Sequence, residues 1–536
     1  MMHRRKFIKL SVAATALSTS LLSCNTKRKI KGSIIGASAN IGHKLRDKNF
    51  DKPVETIHKK VLIVGAGVSG LSAGYFLQKR GVNDFLIFDL ESQAGGNARW
   101  GSNKISSFPW GAHYITTPNN DLGEYLSFLK ECGVITNFAE NNIPVYNEYY
   151  LCFDPEERLY INGKWQEGLV PHFGVPDEEK NQIHSFLKMM DDYRNKKGSD
   201  GKDAFSIPVD NSSKDEEFVK LDSITMKEWL LQNDFRSEYL HWYANYCTRD
   251  DFGTSYDKVS AWTGIHYFAS RKGKGTNAEH SDVLTWPEGN GFLVKHLSKD
   301  IREQVKVGQL VVRVQPNSGR ILVTYFDTSD SKLKAVDAEH CILSVPQFIA
   351  ARLLGDPERI KKVNEHLHYT PWMVANMAVN DLKERSGATL SWDNVLYGSN
   401  SLGYVEATHE LLQQKLSKRN LTYYLPLTRL DAREERKQAQ AKSYEDWVDL
   451  VIDDLKKVHP NIEDAIEELN VMIWGHAMAQ PLPGLIHGAI RKELSASVGN
   501  IHFAHTDLAG VSIFEEAFYQ GLNAANKVIT KSNSHV

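Results

Sequence analysis

The chain has 536 residues, 41% of them hydrophobic and 24% charged, with a formal net charge of −2. It is too long for one simple core and suits two intertwined domains. Its composition is that of a soluble globular protein, and its charge balance gives no basic field for nucleic acid.

The first residues differ in kind from the rest. Met1-Met2-His3-Arg4-Arg5-Lys6-Phe7-Ile8-Lys9 is basic, residues 10–23 are apolar, and Cys24 follows. Residues 10–23 are too few to span a bilayer core, so this is a signal peptide pattern. Arg4 to Lys9 resembles a twin-arginine signal. Leu21-Leu22-Ser23-Cys24 resembles a bacterial lipobox, with Cys24 as the lipidated residue; an ordinary secretory signal with an incidental cysteine is the alternative. The expected location is the bacterial periplasm or cell envelope, with the membrane reached through the lipid anchor only. Residues 25–57 are polar and read as a tether, with Ser38 to Arg46 ordered against the body. The later cysteines, Cys132, Cys152, Cys247 and Cys341, have neither CxxC nor metal-ligand spacing. They read as buried thiols with room for one bridge, and no metal site is expected.

Val61-Leu62-Ile63-Val64 is a continuous apolar run, as in a strand buried on both faces. It enters Gly65-Ala66-Gly67-Val68-Ser69-Gly70. A helical spacing of Leu71, Tyr75 and Gln78 follows, ending near Gly81. A second apolar run, Phe85 to Phe88, ends in Asp89-Leu90. This is the order of a dinucleotide-binding βαβ unit. The first glycine allows the tight turn, the second lets backbone approach a pyrophosphate, and the third lets helix and strand pack closely. The helix N-terminus then offers free N–H groups and a positive dipole end. Asp89, 19 residues after Gly70, can accept the hydrogen bonds of a ribose diol. Gly95-Gly96 and Asn97 follow it, and a second glycine pair points to FAD rather than NAD.

These residues resemble the N-terminal signature of the flavin-dependent amine oxidase superfamily. Two positions depart from its usual form: Asp89 stands for glutamate, and Asn97 for the arginine near the pyrophosphate. The resemblance implies an α/β fold, a glutathione reductase-type Rossmann-like FAD domain interleaved with an α+β substrate domain. The expected division is 58–118, 282–350 and 470–536 for FAD, and 119–281 and 351–469 for substrate. It also implies that Gly111-Ala112-His113-Tyr114 lies close to the flavin ring, with His113 on the catalytic side. Backbone at Val312, in the first strand of the pair 309–314 and 320–325, is expected against the adenine.

In the middle of the chain, Leu122, Tyr125, Leu126 and Leu129 space as a helix. Asn162-Gly163 marks a hairpin, and residues 196–217 read as a solvated loop. A helix through Trp242 and Tyr246 ends at Arg249-Asp250-Asp251, either a polar cluster near substrate or a helix-end salt bridge. Trp392, Tyr397, Tyr404, Tyr423 and Tyr424 add aromatics, with Tyr404 counted as a catalytic-side candidate. Val471 to Met478 reads as the ring-side wall, with Trp474 beside the flavin and His476 orienting substrate or carrying a proton.

Phe503-Ala504-His505-Thr506-Asp507 before a final helix resembles the second FAD signature, in the form of spermidine dehydrogenase-like members. It implies a hydrogen bond from the ribityl chain to Asp507. No cysteine lies in this segment, so FAD is expected to be non-covalent. The family's chemistry is oxidation of a carbon–nitrogen bond by hydride transfer to flavin N5, with an amine as substrate and O2 or a respiratory carrier as acceptor. Two other readings stand beside it. One is a flavin desaturase, isomerase or tetrapyrrole oxidase acting on an apolar substrate. The other is a non-catalytic lipoprotein bearing FAD.

Overall fold

The computed structural model describes residues 28–46, 52–411 and 417–533; the twin-arginine and lipobox residues lie outside them. The apolar run Val61–Val64 is buried residue by residue because it has parallel neighbours on both sides, Phe85–Phe88 and the end of Lys332–Leu343. β-branched side chains suit a strand covered on both faces. The sheet runs in spatial order Val305–Lys306, Phe85–Phe88, Thr56–Val64, Lys332–Leu343, Arg320–Asp327, Gln309–Asn317. Ile501–Phe503 joins Cys341–Leu343 in parallel. The helix after the glycine turn is Val68–Lys79, closed by Gly81 at φ +83°. The final helix, Phe514–Asn533, packs on it so tightly that a Cβ on Gly521 would lie 2.3 Å from Ser69 O.

The second sheet is ordered Ile466–Ala479, Tyr369–Asn380, Lys418–Pro426, Tyr404–Glu406, Asp393–Leu396, Glu157–Ile161, Lys164–Glu167. Its second strand, Tyr369–Asn380, is buried almost throughout and sorts its side chains by parity. Met373, Ala375 and Met377 face the helix Tyr444–Leu455. Trp372 and Val374 face a layer of helices that includes Glu238–Phe252 and Ala261–Ala269. The site lies where this second face meets the nucleotide layer. No helix of the described residues is long and apolar enough to cross a membrane.

Several sequence expectations need correction. The strand Ile466–Ala479 pairs along its length with Tyr369–Asn380, so the return to the nucleotide layer follows Ala479 rather than position 470. Residues 196–217 are not wholly solvated: Ala204, Phe205 and Val209 are fully buried, with Phe205 against Trp262. Ala204, Phe205, Ile207 and Val209 give that polar run an apolar, buried centre. The tether is also structural. Lys31 and Ile34 bridge to Glu468 and Val471, extending the second sheet before the short helix Ala39–Gly42.

Tyr404 is the clearest correction. Its side chain is fully buried in the second sheet, and its hydroxyl meets His459 Nε2 at 2.6 Å and accepts from Arg158 Nη2 at 3.2 Å. Arg158, also fully buried, donates to Asn394 and the Ala388 carbonyl, pairs with Glu384 and lies 3.9 Å over the Trp165 ring. A buried guanidinium persists only with its hydrogen bonds satisfied, and the Tyr404 hydroxyl is one of these partners. Tyr404→Phe is therefore expected to cost about 1–2 kcal/mol in denaturant unfolding and to leave the turnover rate within about twofold. A tenfold loss of turnover in a folded, flavin-loaded variant would return Tyr404 to the reacting site.

Candidate functional site

The glycines of the turn separate into two kinds. Gly65, at φ +101°, and Gly70 are needed by the protein itself: a Cβ would lie 2.3 Å from Ser344 O and 1.9 Å from Gly65 O respectively. Gly67 is different. A Cβ there meets nothing nearer than Gly96 Cα at 3.9 Å. Gly96, at φ +56°, faces it across the Gly67–Gly95 bridge. Packing does not require glycine at 67, so the open space is what a pyrophosphate would use. Val68, Ser69 and Gly70 present the first-turn N–H groups there, with no side-chain cap.

The turn opens on a cavity of about 1200 Å³ whose lining includes Gly65, Asp89, Leu90, Leu310 and Val311. Asp89 accepts from Ala66 N at 2.7 Å and Glu91 N at 2.8 Å, leaving lone pairs for a diol. Burial raises its carboxyl to about 6. Val312 occupies a bulge between Val311 and Arg313, so its peptide lacks a regular partner across the strand pair. Its neighbours Leu310 and Val311 form the cavity wall. The N-terminal segment closes another side: Ser38 donates to both oxygens of Glu91 at 2.8 and 3.0 Å, and Arg99 pairs with the same carboxylate at 3.0 Å.

A smaller cavity, of about 150 Å³, on the side where the resemblance puts the flavin ring, includes Gly111, Ala112, His113, Trp372, Val374 and Trp474 in its wall. Trp474 also borders the nucleotide-side cavity. Its indole is fixed by a 2.7 Å hydrogen bond to Trp110 O. His113 stacks on Tyr424 at 4.6 Å, and burial lowers it to about 4, so it is neutral at pH 7. The Asn97 amide donates to Ala477 O at 2.6 Å. Gly111 is required by close backbone packing, since a Cβ would lie 2.2 Å from Asn97 O.

Two predicted residues face elsewhere. His476 lines the nucleotide-side cavity, 4.3 Å from the Phe348 ring, and burial lowers it to about 3. A neutral imidazole there cannot orient substrate at the flavin-side wall. Asp507 has its Oδ2 taken by Gln347 N and the Tyr369 hydroxyl, both at 2.7 Å, and its Oδ1 3.0 Å from His505 Nδ1. Burial opposes its ionisation, but His505 and these donors hold its carboxyl below the usual range. Its carboxylate braces the turn under the last helix, and its buried Oδ1 accepts no hydrogen bond from the described residues.

The polar centre of the flavin-side cavity comes from residues far apart in the chain. The Tyr114 hydroxyl lies 3.2 Å from Asp250 Oδ2 and 3.4 Å from Asp251 Oδ1, and Arg271 pairs with Asp251 at 2.6 Å. Burial, then the neighbouring Asp251, raises the Asp250 carboxyl. Glu515, on the last helix, joins the wall and is raised to about 7 by burial. The Asp250-Asp251 pair was visible as a polar cluster; Arg271, Ile207 and Glu515 had no local signal. His113, Tyr114, Thr116, Asp250, Arg271 and Tyr424 also border a third cavity, of about 740 Å³. Elsewhere Cys152, His409 and Glu410 bring ligand-type atoms within 4.8 Å of one another, a grouping that linear spacing could not reveal. The four cysteines of the body are free thiols.

A Gly67→Val variant is expected to fold, with an unfolding midpoint within a few degrees of the flavin-free parent, and to lose its flavin absorbance. Gly70→Val should fail to fold. A yellow Gly67→Val protein would overturn the pyrophosphate site.

Comparisons with known proteins agree with this geometry. Residues 68–529 match the family model described as flavin containing amine oxidoreductase. L-amino acid oxidase Bs29 of Bothriechis schlegelii is 23% identical over 304 residues, 56% of this chain and 55% of that protein. The chain thus spans about half the length of the curated relatives it matches. Two solved structures share its fold. Putrescine oxidase bound to putrescine has a TM-score of 0.64 at 17% identity, over 89% of this chain and 100% of that one. Cyclohexylamine oxidase from Brevibacterium oxydans IH-35A has a TM-score of 0.62 at 15% identity, over 89% and 99%. The glycine cradle, the two interleaved sheets and the family match converge: this chain belongs to the flavin containing amine oxidoreductase family, whose cofactor is FAD.

Proposed function

We propose that the protein is an FAD-dependent oxidoreductase that oxidises a cationic alkylamine. The observation that supports this reading is the acidic lining of the third cavity, which shares Tyr114, Asp250 and Arg271 with the smaller one. Seven carboxyl groups border the 740 Å³ cavity, among them Glu156, Glu157, Asp250 and Asp393, against two arginines. Both arginines are engaged: Arg271 by Asp251, and Arg194 by Asp191 and the Phe268 carbonyl. An amino-acid substrate would bring a carboxylate into this surplus of acid and find no uncommitted cation. An alkylammonium ion is drawn in by the carboxylates and by the faces of Tyr424 and Trp392.

FAD, when bound, supplies the acceptor for the hydride of the C–H bond next to nitrogen. The residues prepare the substrate. The amine must lose a proton before its lone pair can assist. Asp250 Oδ2, beside the Tyr114 hydroxyl, is the acceptor for that proton, and its raised carboxyl suits exchange near neutral pH. The stacked His113 and Tyr424, with Trp372 and Trp474, exclude water, which favours the neutral amine.

We further propose export by the twin-arginine route and lipid anchoring at Cys24 in the periplasm or cell envelope. A protein loaded with FAD in the cytoplasm must be exported folded. The acceptor for the reduced flavin is O2 or a respiratory carrier. Cys24→Ala should move the protein from the membrane to the soluble fraction; retention on the membrane would exclude the anchor.

Anaerobic mixing with a panel tests the reaction. Alkylamines are expected to bleach the flavin band and L-amino acids to leave it unchanged. Bleaching by amino acids alone, or by a polyene alone, would overturn the alkylamine reading.

A further inference from the structure

The nucleotide-side cavity has a wall that the glycine turn does not supply. The segment from Ile34 to Arg46 borders it together with Gly65 and Asp89. That segment is held in place at several points. Ser38 is fastened to Glu91. Gly42 runs beside Leu90, whose Cδ2 would lie 3.4 Å from a Cβ on it. Lys44 Nζ lies 4.4 Å from the centre of the Phe326 ring. The chain before the first strand therefore passes beside the strand end that presents Asp89.

The charge of this cavity is unbalanced in the sense opposite to that of the third one. Among the described residues, six arginines and lysines border it against three carboxyl groups. Two of the three acids are engaged: Glu91 by Arg99 and Ser38, and Asp431 by the N–H of Arg433 at the start of its own helix. Several of the cations are engaged as well. Arg436 donates to Tyr369 O at 2.7 Å, Lys437 pairs with Glu434 at 3.9 Å, and Lys442 lies over the Trp447 ring. Arg46, on the N-terminal segment, and Arg352, on the helix Gln347–Leu354, make no hydrogen bond or ion pair with any described residue. Both act on the same neighbours. Burial, then Arg46 and Arg352, lower His43; burial, then Arg436, Arg352, His43 and Arg46, lower His476. Like charges gathered from separate segments repel one another, and an anion among them relieves that repulsion.

The anion that belongs in this place is a diphosphate. The glycine turn opens on the same cavity and offers N–H groups, which hold phosphate oxygens but carry no full charge. Arg99, the arginine nearest to Gly96 in sequence, is paired with Glu91. A guanidinium presents a planar fork of donors that matches phosphate oxygens. We propose that Arg46 and Arg352 are phosphate-binding residues of the FAD site, so that the N-terminal segment is one wall of that site. The proposal does not depend on which substrate is oxidised.

The test is FAD release from the full-length, FAD-loaded protein, followed by the rise in flavin fluorescence on dilution. Arg46→Gln and Arg352→Gln are each expected to speed release about tenfold, the size of one lost charge-assisted hydrogen bond. Arg46→Lys should keep most of the retention. Added salt should speed release from the parent more than from either Gln variant. In the flavin-free chain, ADP should raise the unfolding midpoint more than adenosine does. Both Gln variants should erase most of that difference and leave the adenosine shift in place. Release from both Gln variants at the parent's rate would overturn the proposal. So would an equal loss of the ADP and adenosine shifts, which would make the segment a steric cover only. Stabilisation of the FAD-loaded parent by inorganic phosphate, absent from the Gln variants, would put the anion site apart from the cofactor and overturn it as well.

Discussion

Three segments meet within van der Waals contact at one point, and the rest of the molecule is arranged around that meeting. The turn at Gly65–Gly70 closes on itself and on Ser344, and the last helix closes on Ser69 at Gly521. No side chain fits at Gly65, Gly70 or Gly521. The parts of the chain near 65, 344 and 521 are thereby locked together, although hundreds of residues separate them. What remains open in this dense joint is the space between Gly67 and Gly96, the space that the proposed phosphate site would use. Close packing and cofactor cradle are two results of one backbone geometry.

The substrate side follows a different rule. There the chain spends stability rather than gaining it. Asp250, Glu156, Glu157, Asp393 and Glu515 are held in places that raise their carboxyl groups. A protein selected only for stability would replace such groups with apolar residues of similar size. Their grouping around cavities that share wall residues suits a site whose ligand completes the electrostatics. The aromatic walls contribute by displacing water, so each remaining charge acts through a medium of low dielectric.

The nucleotide half was readable from the sequence because its signals are local. Strand, glycine turn, helix and ribose acid follow one another within thirty residues, and each is fixed by backbone geometry. The hairpin at Asn162-Gly163 was readable for the same reason, since both residues adopt positive φ. The substrate half was not, because its residues are assembled by sheet register and by helices from distant segments. Trp474 was singled out from the family resemblance, by its place before the last FAD segment, and it borders both cavities. His476, two residues on, faces the other cavity, an outcome that the irregular pairing between Thr370 and Trp372 helps to decide. Tyr404 was chosen for its type alone; its register against Asn394 and Tyr423 seals it in the sheet. Ile207 was hidden in a run that composition alone marks as solvent-exposed.

The segment before the first strand has a consequence for orientation. Lys31 and Ile34 are fastened to the edge strand at Glu468 and Val471, and Ser38 is fastened to Glu91. The fixed body therefore begins only seven positions after Cys24. Even fully extended, seven residues reach about 25 Å. A lipid on Cys24 would hold the enzyme on a short leash. The body could not tumble freely above the bilayer. The second sheet's edge strand Ile466–Ala479 would stay turned toward the lipid, and any redox partner moving in the membrane would meet the same face of the enzyme at each encounter.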